Sequence, residues 1–166
     1  MTAPDYVIRK ARLYDIPAVA RLEEATSGTP WSAESLTNDI TKNENAYMAV
    51  AALKGPEDEV PEIIGYADIW IIAGEAQLNN IAVDEKYRGM HIGEALLEHM
   101  IEVSRRAGCT VMTLEVREGN TAARPLYTKL GFKETAVRRG YYTDNNEDAI
   151  LMDKNYDDLD VEYETK

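Results

Sequence analysis

The chain has 166 residues, of which 45% are hydrophobic and 29% charged, the ordinary balance of a globular protein with one domain. Its longest apolar run, residues 46–53, is far too short to cross a bilayer, so no membrane partner is expected. Thirty acidic residues against 18 basic ones give a net charge of −12. This charge disfavours direct binding to nucleic acid, whereas it could attract a basic protein.

Few thiol and imidazole groups are available for chemistry. Cys109 is the single cysteine, so an internal disulfide is excluded, which suits a reducing compartment such as the cytoplasm. His91 and His99 are the only histidines, and Cys109 is not at metal-ligand spacing from them. The first ten residues lack the charged start and apolar core of a secretory signal. We therefore expect a cytoplasmic protein without a bound metal.

The first third of the chain predicts one strand and two helices. A strand at 6–11 precedes a helix that Asp15 and Pro17 open. Ser32 is a good N-cap for the second helix, and Trp31 just before it can pack onto the first turn as a hydrophobic staple.

Three strands follow, at 46–53, 62–72 and 76–83, with a polar loop at 55–61 between the first two. The clearest helix of the chain comes next, "HIGEALLEHMIEVSRRAG", whose apolar residues recur at helical spacing.

The last third alternates again between strands and helix. A short apolar strand at 110–116 leads into a helix predicted over 120–131, from an Asn cap to a Gly stop. Two antiparallel strands, 132–142 and 147–156, close the pattern. The remainder, 157–166, is an acidic C-terminal tail with few apolar anchors, a composition typical of disorder.

The order of elements predicts the fold class. The strand–helix–strand segment at 76–116 needs a right-handed crossover and therefore a parallel strand pair, whereas the flanking hairpins are antiparallel. We expect an α/β (α+β) domain over residues 1–156, with a mixed, mostly antiparallel sheet and helices on both of its faces.

Glu115 is unexpected where it stands, between Leu114 and Val116 in a strand that reads as buried. A buried carboxylate is costly unless it is paired or has a chemical task. One interpretation is an ion pair with Arg117, on the same face of the strand, or with Arg88. The other interpretation is a catalytic carboxylate.

The junction at 83–96 offers a second candidate site. A strand runs into a turn with two glycines and then into the long helix, so backbone N–H groups and the helix dipole could bind an anion, helped by Arg88. A plain helix start explains the same spacing equally well, and without a Walker lysine and serine no P-loop is implied.

The stretch "YRGMHIGEALL" resembles the arginine/glutamine-x-x-glycine-x-glycine/alanine pyrophosphate loop of the GNAT acetyltransferase superfamily. Arg88 takes the first position of that motif and Gly93 the last, while His91 stands where the family usually has glycine. Since glycine lets the backbone approach the pyrophosphate, His91 is expected to bear on coenzyme A affinity.

The resemblance extends over nearly the whole chain and is most specific in "TPWS" (29–32), "TLEVREGNTAARPLYTKLGF" (113–132) and "RRGYY" followed by "EDAILM" (138–152). These stretches are similar to the bacterial ribosomal-protein-alanine N-acetyltransferase branch. The resemblance implies acetyl-CoA as donor, direct attack by an amine on the thioester, and a protein N-terminus as acceptor, such as a basic ribosomal protein beginning with alanine. It also implies a GNAT-type sheet whose central parallel strands splay apart around the cofactor.

The same resemblance assigns roles to individual residues. Glu115 matches the general base, and Tyr127 matches the residue that protonates the departing thiolate. Trp31, Tyr141 and Tyr142 match the peptide site, although a staple and cross-strand packing explain these aromatics as well. The residues implied in cofactor binding are Ile81, Ala82, Val83, Arg88, Gly89, Met90, His91, Ile92, Gly93, Glu94 and Asn120.

Two other functions fit the same sequence. A free α-amino group has a pKa of ~7.7–8.0, whereas a lysine side chain at ~10.4 costs about 3.5 kcal/mol more to deprotonate at the same pH, so a carboxylate base suits an N-terminal amine better. A lysine or small-amine acetyltransferase on this fold nevertheless stays open. So does a non-catalytic acyl-CoA-binding module, for which His91 is the best hint.

Overall fold

The computed structural model describes residues 2–157. It contains the strands β1 Tyr6–Lys10, β2 Ala46–Leu53, β3 Ile63–Ile72, β4 Glu75–Val83, β5 Val111–Arg117, β6 Lys133–Tyr142 and β7 Glu147–Asn155. The helices are α1 Ile16–Thr26, α2 Ala33–Thr41, α3 Ile92–Arg106 and α4 Ala123–Lys129. Between residues 2 and 157, no helix is both long and apolar enough to cross a membrane. Of the predicted acidic tail, all but Asp157 lies outside the described residues.

Local signals explain where the helices begin. Ser32 Oγ accepts the backbone N–H of Ser35 at 3.1 Å and so caps α2, as predicted. Helix α4 is shorter than the predicted 120–131, because the chain first makes a turn in which the N–H of Thr121 bonds to the carbonyl of Gly119. Asn120 still caps from within this turn, since its Oδ1 accepts the N–H of Ala123 at 3.0 Å.

The seven strands form one sheet in the order β1-β2-β3-β4-β5-β7-β6. The pairs β1/β2, β5/β7 and β6/β7 are antiparallel, and β4/β5 is parallel, which confirms the predicted mixed sheet with one parallel pair. The parallel register runs from Glu75 opposite Val111 to Leu78 opposite Leu114, so it ends one residue before Glu115.

The chain divides into two compact units. The first comprises the residues up to 69 together with 80–100. Its core is apolar, with Val19, Leu36, Val50 and other side chains of α1, α2, β2 and β3 buried together.

Buried acidic groups accompany this apolar core. Glu23 is 3% exposed and accepts the Tyr66 hydroxyl at 2.5 Å and the Trp31 backbone N–H at 2.9 Å. Asp68 is fully buried, and neither of its carboxylate oxygens accepts a hydrogen bond from a donor in residues 2–157. Burial, together with the neighbouring Asp39 carboxylate, raises the pKa of Asp68 to about 10. With a pKa this high, the Asp68 carboxyl group is neutral near pH 7.

The second unit comprises residues 70–79 and those from 101 onward. Alternate residues of β5, namely Met112, Leu114 and Val116, are buried, as expected for a half-buried strand. Strand β6 is different, because every residue from Lys133 to Arg139 is exposed.

Candidate active site

Glu115 lies on the face of β5 that points away from the apolar core. Its side chain is 28% exposed, and its neighbours on that face, Thr113 and Arg117, are likewise half-buried. The expectation of a buried carboxylate was wrong, because the apolar residues on either side of Glu115 fill the core face while Glu115 points away from it. The carboxylate is therefore within reach of a reactant in solvent.

Two groups from β6 meet the Glu115 carboxylate. Arg138 Nη1 lies 3.6 Å from Glu115 Oε1. The Tyr141 hydroxyl hydrogen-bonds to Glu115, which raises the pKa of Tyr141. The cationic partner of Glu115 is thus Arg138, whereas Arg117, one of the two partners suggested by the sequence, pairs with other carboxylates.

Tyr141 and Tyr142 form the aromatic part of this cluster. Their rings meet edge to face with centroids 5.1 Å apart. The guanidinium of Arg138 lies 5.6 Å from the Tyr141 centroid, and that of Arg117 lies 3.9 Å from the Tyr142 centroid. The aromatic pair predicted to border a peptide site therefore stands directly beside the candidate base.

Tyr127, on α4, is 5% exposed and packs against Phe132, with ring centroids 5.8 Å apart. Burial raises the pKa of Tyr127 well above that of a free phenol. Electrostatic repulsion from the nearby Tyr142 phenol raises the pKa further. The Tyr127 hydroxyl is therefore protonated near neutral pH and can act as a hydrogen-bond donor.

In the first unit, the end of β4 leads into the junction before α3. Ile81 and Val83 are half-buried and Ala82 is buried, while the Arg88 guanidinium donates from Nε to the Val83 carbonyl at 3.4 Å. Gly89 has a φ of +76°, in the left-handed region that favours glycine. The long helix starts at Ile92, so its first-turn N–H groups, which have no acceptor within the helix, are at the junction.

His91 has a φ of +64°, in the left-handed region that favours glycine. Its side chain is 79% exposed, and Nδ1 lies 3.2 Å from Glu94 Oε2. The imidazole therefore points into solvent, and the bend of the loop is preserved at the cost of backbone strain.

The remaining predicted residues have clear structural contacts. Trp31 packs against the core of the first unit, and its backbone N–H is bound by Glu23. Asn120 is exposed and serves as the cap of α4. Met90, Gly93 and Glu94 are half-buried, whereas Ile92 is buried in the helix start. Within the described chain, no group of three or more His, Cys, Asp or Glu side chains is placed to hold a metal ion.

The chain is similar to known acetyltransferases over most of its length. Residues 12–132 match the model of the Acetyltransferase (GNAT) family. The chain is 36% identical to the ribosomal protein bS18-alanine N-acetyltransferase of Escherichia coli (strain K12), over 83% of this chain and 89% of that protein. It is 35% identical to a putative enzyme of the same description from Bacillus subtilis (strain 168), over 87% and 92% of the two chains.

Solved structures agree with the sequence comparisons. The crystal structure of the ribosomal-protein-S18-alanine N-acetyltransferase from Escherichia coli matches with a TM-score of 0.79 and 34% identity, over 90% of this chain and 93% of that one. Arabidopsis thaliana NAA60 in complex with acetyl-CoA matches with a TM-score of 0.83 at 17% identity, a likeness of fold alone.

Proposed function

Since this chain belongs to the GNAT acetyltransferase family, we propose that it transfers the acetyl group of acetyl-CoA to the N-terminal α-amino group of a protein. The observation that carries the proposal is the partly solvent-exposed Glu115 carboxylate beside Tyr141 and Tyr142. Relatives described as ribosomal protein bS18-alanine N-acetyltransferases support a ribosomal protein that begins with alanine as the acceptor, and hence a cytoplasmic site of action.

In the proposed reaction Glu115 is the general base. A free α-amino group has a pKa of ~7.7–8.0, so a large fraction is protonated near neutrality and must lose a proton before it can attack. A partly exposed carboxylate can accept that proton directly or through one water. Acetyl-CoA supplies the acetyl group, activated as a thioester.

Tyr127 is proposed to stabilise the departing thiolate. A free tyrosine has a pKa of ~10 and a thiol ~8.5, so full proton transfer to the thiolate is uphill by about 2 kcal/mol even before burial. Burial raises the pKa of Tyr127 further, which makes full transfer less favourable still. Tyr127 is therefore proposed to donate a hydrogen bond to the negative charge that develops on the departing sulfur, while the attacking amine supplies the proton that the thiolate takes up.

The junction before α3 fits the pyrophosphate of the donor. Its left-handed residues, Gly89 and His91, bend the backbone, and the first-turn N–H groups of a 15-residue helix provide donors at the positive end of the dipole. We assign the pyrophosphate to Gly89–Glu94 with Arg88, the pantetheine arm to the backbone of residues 81–83, and a further contact to Asn120.

His91→Gly is expected to change the Kd of acetyl-CoA by less than about threefold, because the loop already has the backbone conformation that glycine would give. It should raise the free energy of unfolding by about 1 kcal/mol through relief of strain. Isothermal titration calorimetry and urea unfolding measure the two effects. Ala73→Gly, at another left-handed position (φ +52°), is the matched control for strain alone. A tenfold gain in affinity on His91→Gly would show that the imidazole obstructs the donor.

The acceptor is tested by release of free thiol from acetyl-CoA. We expect turnover with a peptide whose free N-terminus is alanine, and none with the same peptide carrying a blocked N-terminus and an internal lysine. The reverse preference would establish the lysine acetyltransferase instead. Binding of coenzyme A without turnover on any amine would favour the non-catalytic module. A peptide array with labelled donor then identifies the acceptor sequence.

A further inference from the structure

We propose that Arg117 is a positioning residue for the acceptor: it fixes the turn between β6 and β7, and with it Tyr142, and so shapes the wall of the acceptor site beside Glu115. This inference rests on the proposed function, since it concerns the peptide that the site receives. Arg117 has no place in the chemistry proposed above, and its partners explain what it does.

The guanidinium of Arg117 binds three side chains of one turn. Nη1 and Nη2 each donate to Asp144, to Oδ1 and Oδ2 respectively, both at 3.0 Å. Nη1 also donates to Asn145 Oδ1 at 3.2 Å and to Glu147 Oε1 at 3.4 Å. The bidentate geometry with Asp144 is one that a planar guanidinium provides and an ammonium does not.

The turn needs such a cation. It brings two carboxylates, Asp144 and Glu147, close together, and its Asn146 has a φ of +60° in the left-handed region. The hydrogen bond from Arg117 lowers the pKa of Asp144, and hydrogen bonds from Asn145 and the Gly119 backbone lower the pKa of Glu147. Both carboxylates are thus ionised near neutrality, and they would repel each other without Arg117 between them.

The same guanidinium supports the aromatic pair. It lies over the ring of Tyr142, 3.9 Å from the centroid, and Tyr142 meets Tyr141 edge to face. Tyr141 in turn hydrogen-bonds to Glu115. A continuous set of contacts therefore leads from the turn through the Arg117 guanidinium and both tyrosines to the candidate base.

Arg117→Lys is the decisive variant, because it keeps the positive charge and loses the bidentate and stacking geometry. We expect the KM for an alanine-initiated peptide to rise about tenfold or more, with kcat within about threefold and the Kd of acetyl-CoA unchanged. Arg106→Lys is the matched control, since Arg106 is an exposed arginine paired with Glu102 at 2.8 Å, and it should change none of these constants. Asp144→Asn, which spares the Tyr142 contact, should give an intermediate KM.

Two further measurements separate the possible outcomes. An equal loss of kcat and kcat/KM, in proportion to a lower Tm, would make Arg117 a stabilising residue only and overturn the inference, as would an unchanged KM. Fluorescence anisotropy of a labelled peptide with coenzyme A present reports acceptor binding without turnover. If the wild type binds the peptide but does not acetylate it, the proposed function fails, and the inference is decided by whether Arg117→Lys weakens that binding.

Discussion

Glu115→Gln is expected to lower kcat for an alanine-initiated peptide by about 10²–10³-fold, the usual contribution of a general base. Glutamine has nearly the same shape as glutamate but cannot accept the proton that the substrate's ammonium group must lose before the amine attacks. The Kd of acetyl-CoA should stay unchanged, because none of the groups assigned to the donor belongs to Glu115. The initial rate of free thiol release at saturating peptide gives kcat, and isothermal titration calorimetry gives the Kd of acetyl-CoA.

Two controls isolate the base from its surroundings. Glu118→Gln removes an exposed carboxylate three residues away and should leave kcat unaltered. Arg138→Gln removes the cation 3.6 Å from Glu115 while keeping the carboxylate, and should cost far less than Glu115→Gln. Wild-type kcat in Glu115→Gln would contradict the assignment, and equal losses in the Glu115 and Arg138 variants would point to their pair instead.

Asp68→Asn is expected to stabilise the protein at neutral pH by as much as about 4 kcal/mol. The wild-type side chain is fully buried, and its pKa is raised from 3.8 to about 10. Folding at pH 7 therefore requires a carboxyl group that is ionised in the unfolded chain to take up a proton. Asparagine has nearly the same shape and needs no proton to be neutral.

The direction of the pH dependence follows from the same shift. Because the folded pKa of Asp68 lies above the unfolded one, its favourable contribution is complete below about pH 4 and declines as the pH rises towards 10. The slope is about 1.4 kcal/mol per pH unit in that window. Urea unfolding between pH 5 and 9 should show this decline in the wild type and a flatter profile in Asp68→Asn.

Asp58→Asn supplies the control for a change of net charge alone, since Asp58 is exposed in the loop before β3. It should retain the wild-type slope. If the free energy of unfolding depended equally on pH in the wild type, Asp58→Asn and Asp68→Asn, Asp68 would not be neutral in the folded protein. A lower stability of Asp68→Asn at neutral pH would also contradict a neutral Asp68.

Much of the fold could be predicted because its signals are local. The Ser32 cap and the apolar run at 46–53 each act within a few residues, and the structure has a helix and a strand there. The length of α4 was misjudged, because Asn120 caps from a preceding turn and not from the first residue of a longer helix.

The environment of Glu115 could not be predicted in the same way. Arg138 reaches it only because β7 lies between β5 and β6 and sets Glu115 opposite Leu151 and Arg138 opposite Ala149. A bulge between Glu134 and Ala136 shifts that register by one residue. Such an arrangement depends on pairing between distant segments, which residue spacing does not encode.

Strand β6 ends the sheet, and its exposed stretch from Lys133 to Arg139 has consequences for solubility. An outermost strand is a natural template for edge-to-edge growth between molecules, and cationic side chains are a common safeguard against it. Lys133, Arg138 and Arg139 place three such charges on this margin of a protein that is otherwise strongly anionic. We therefore expect replacement of these three cations by neutral residues to increase self-association of the protein.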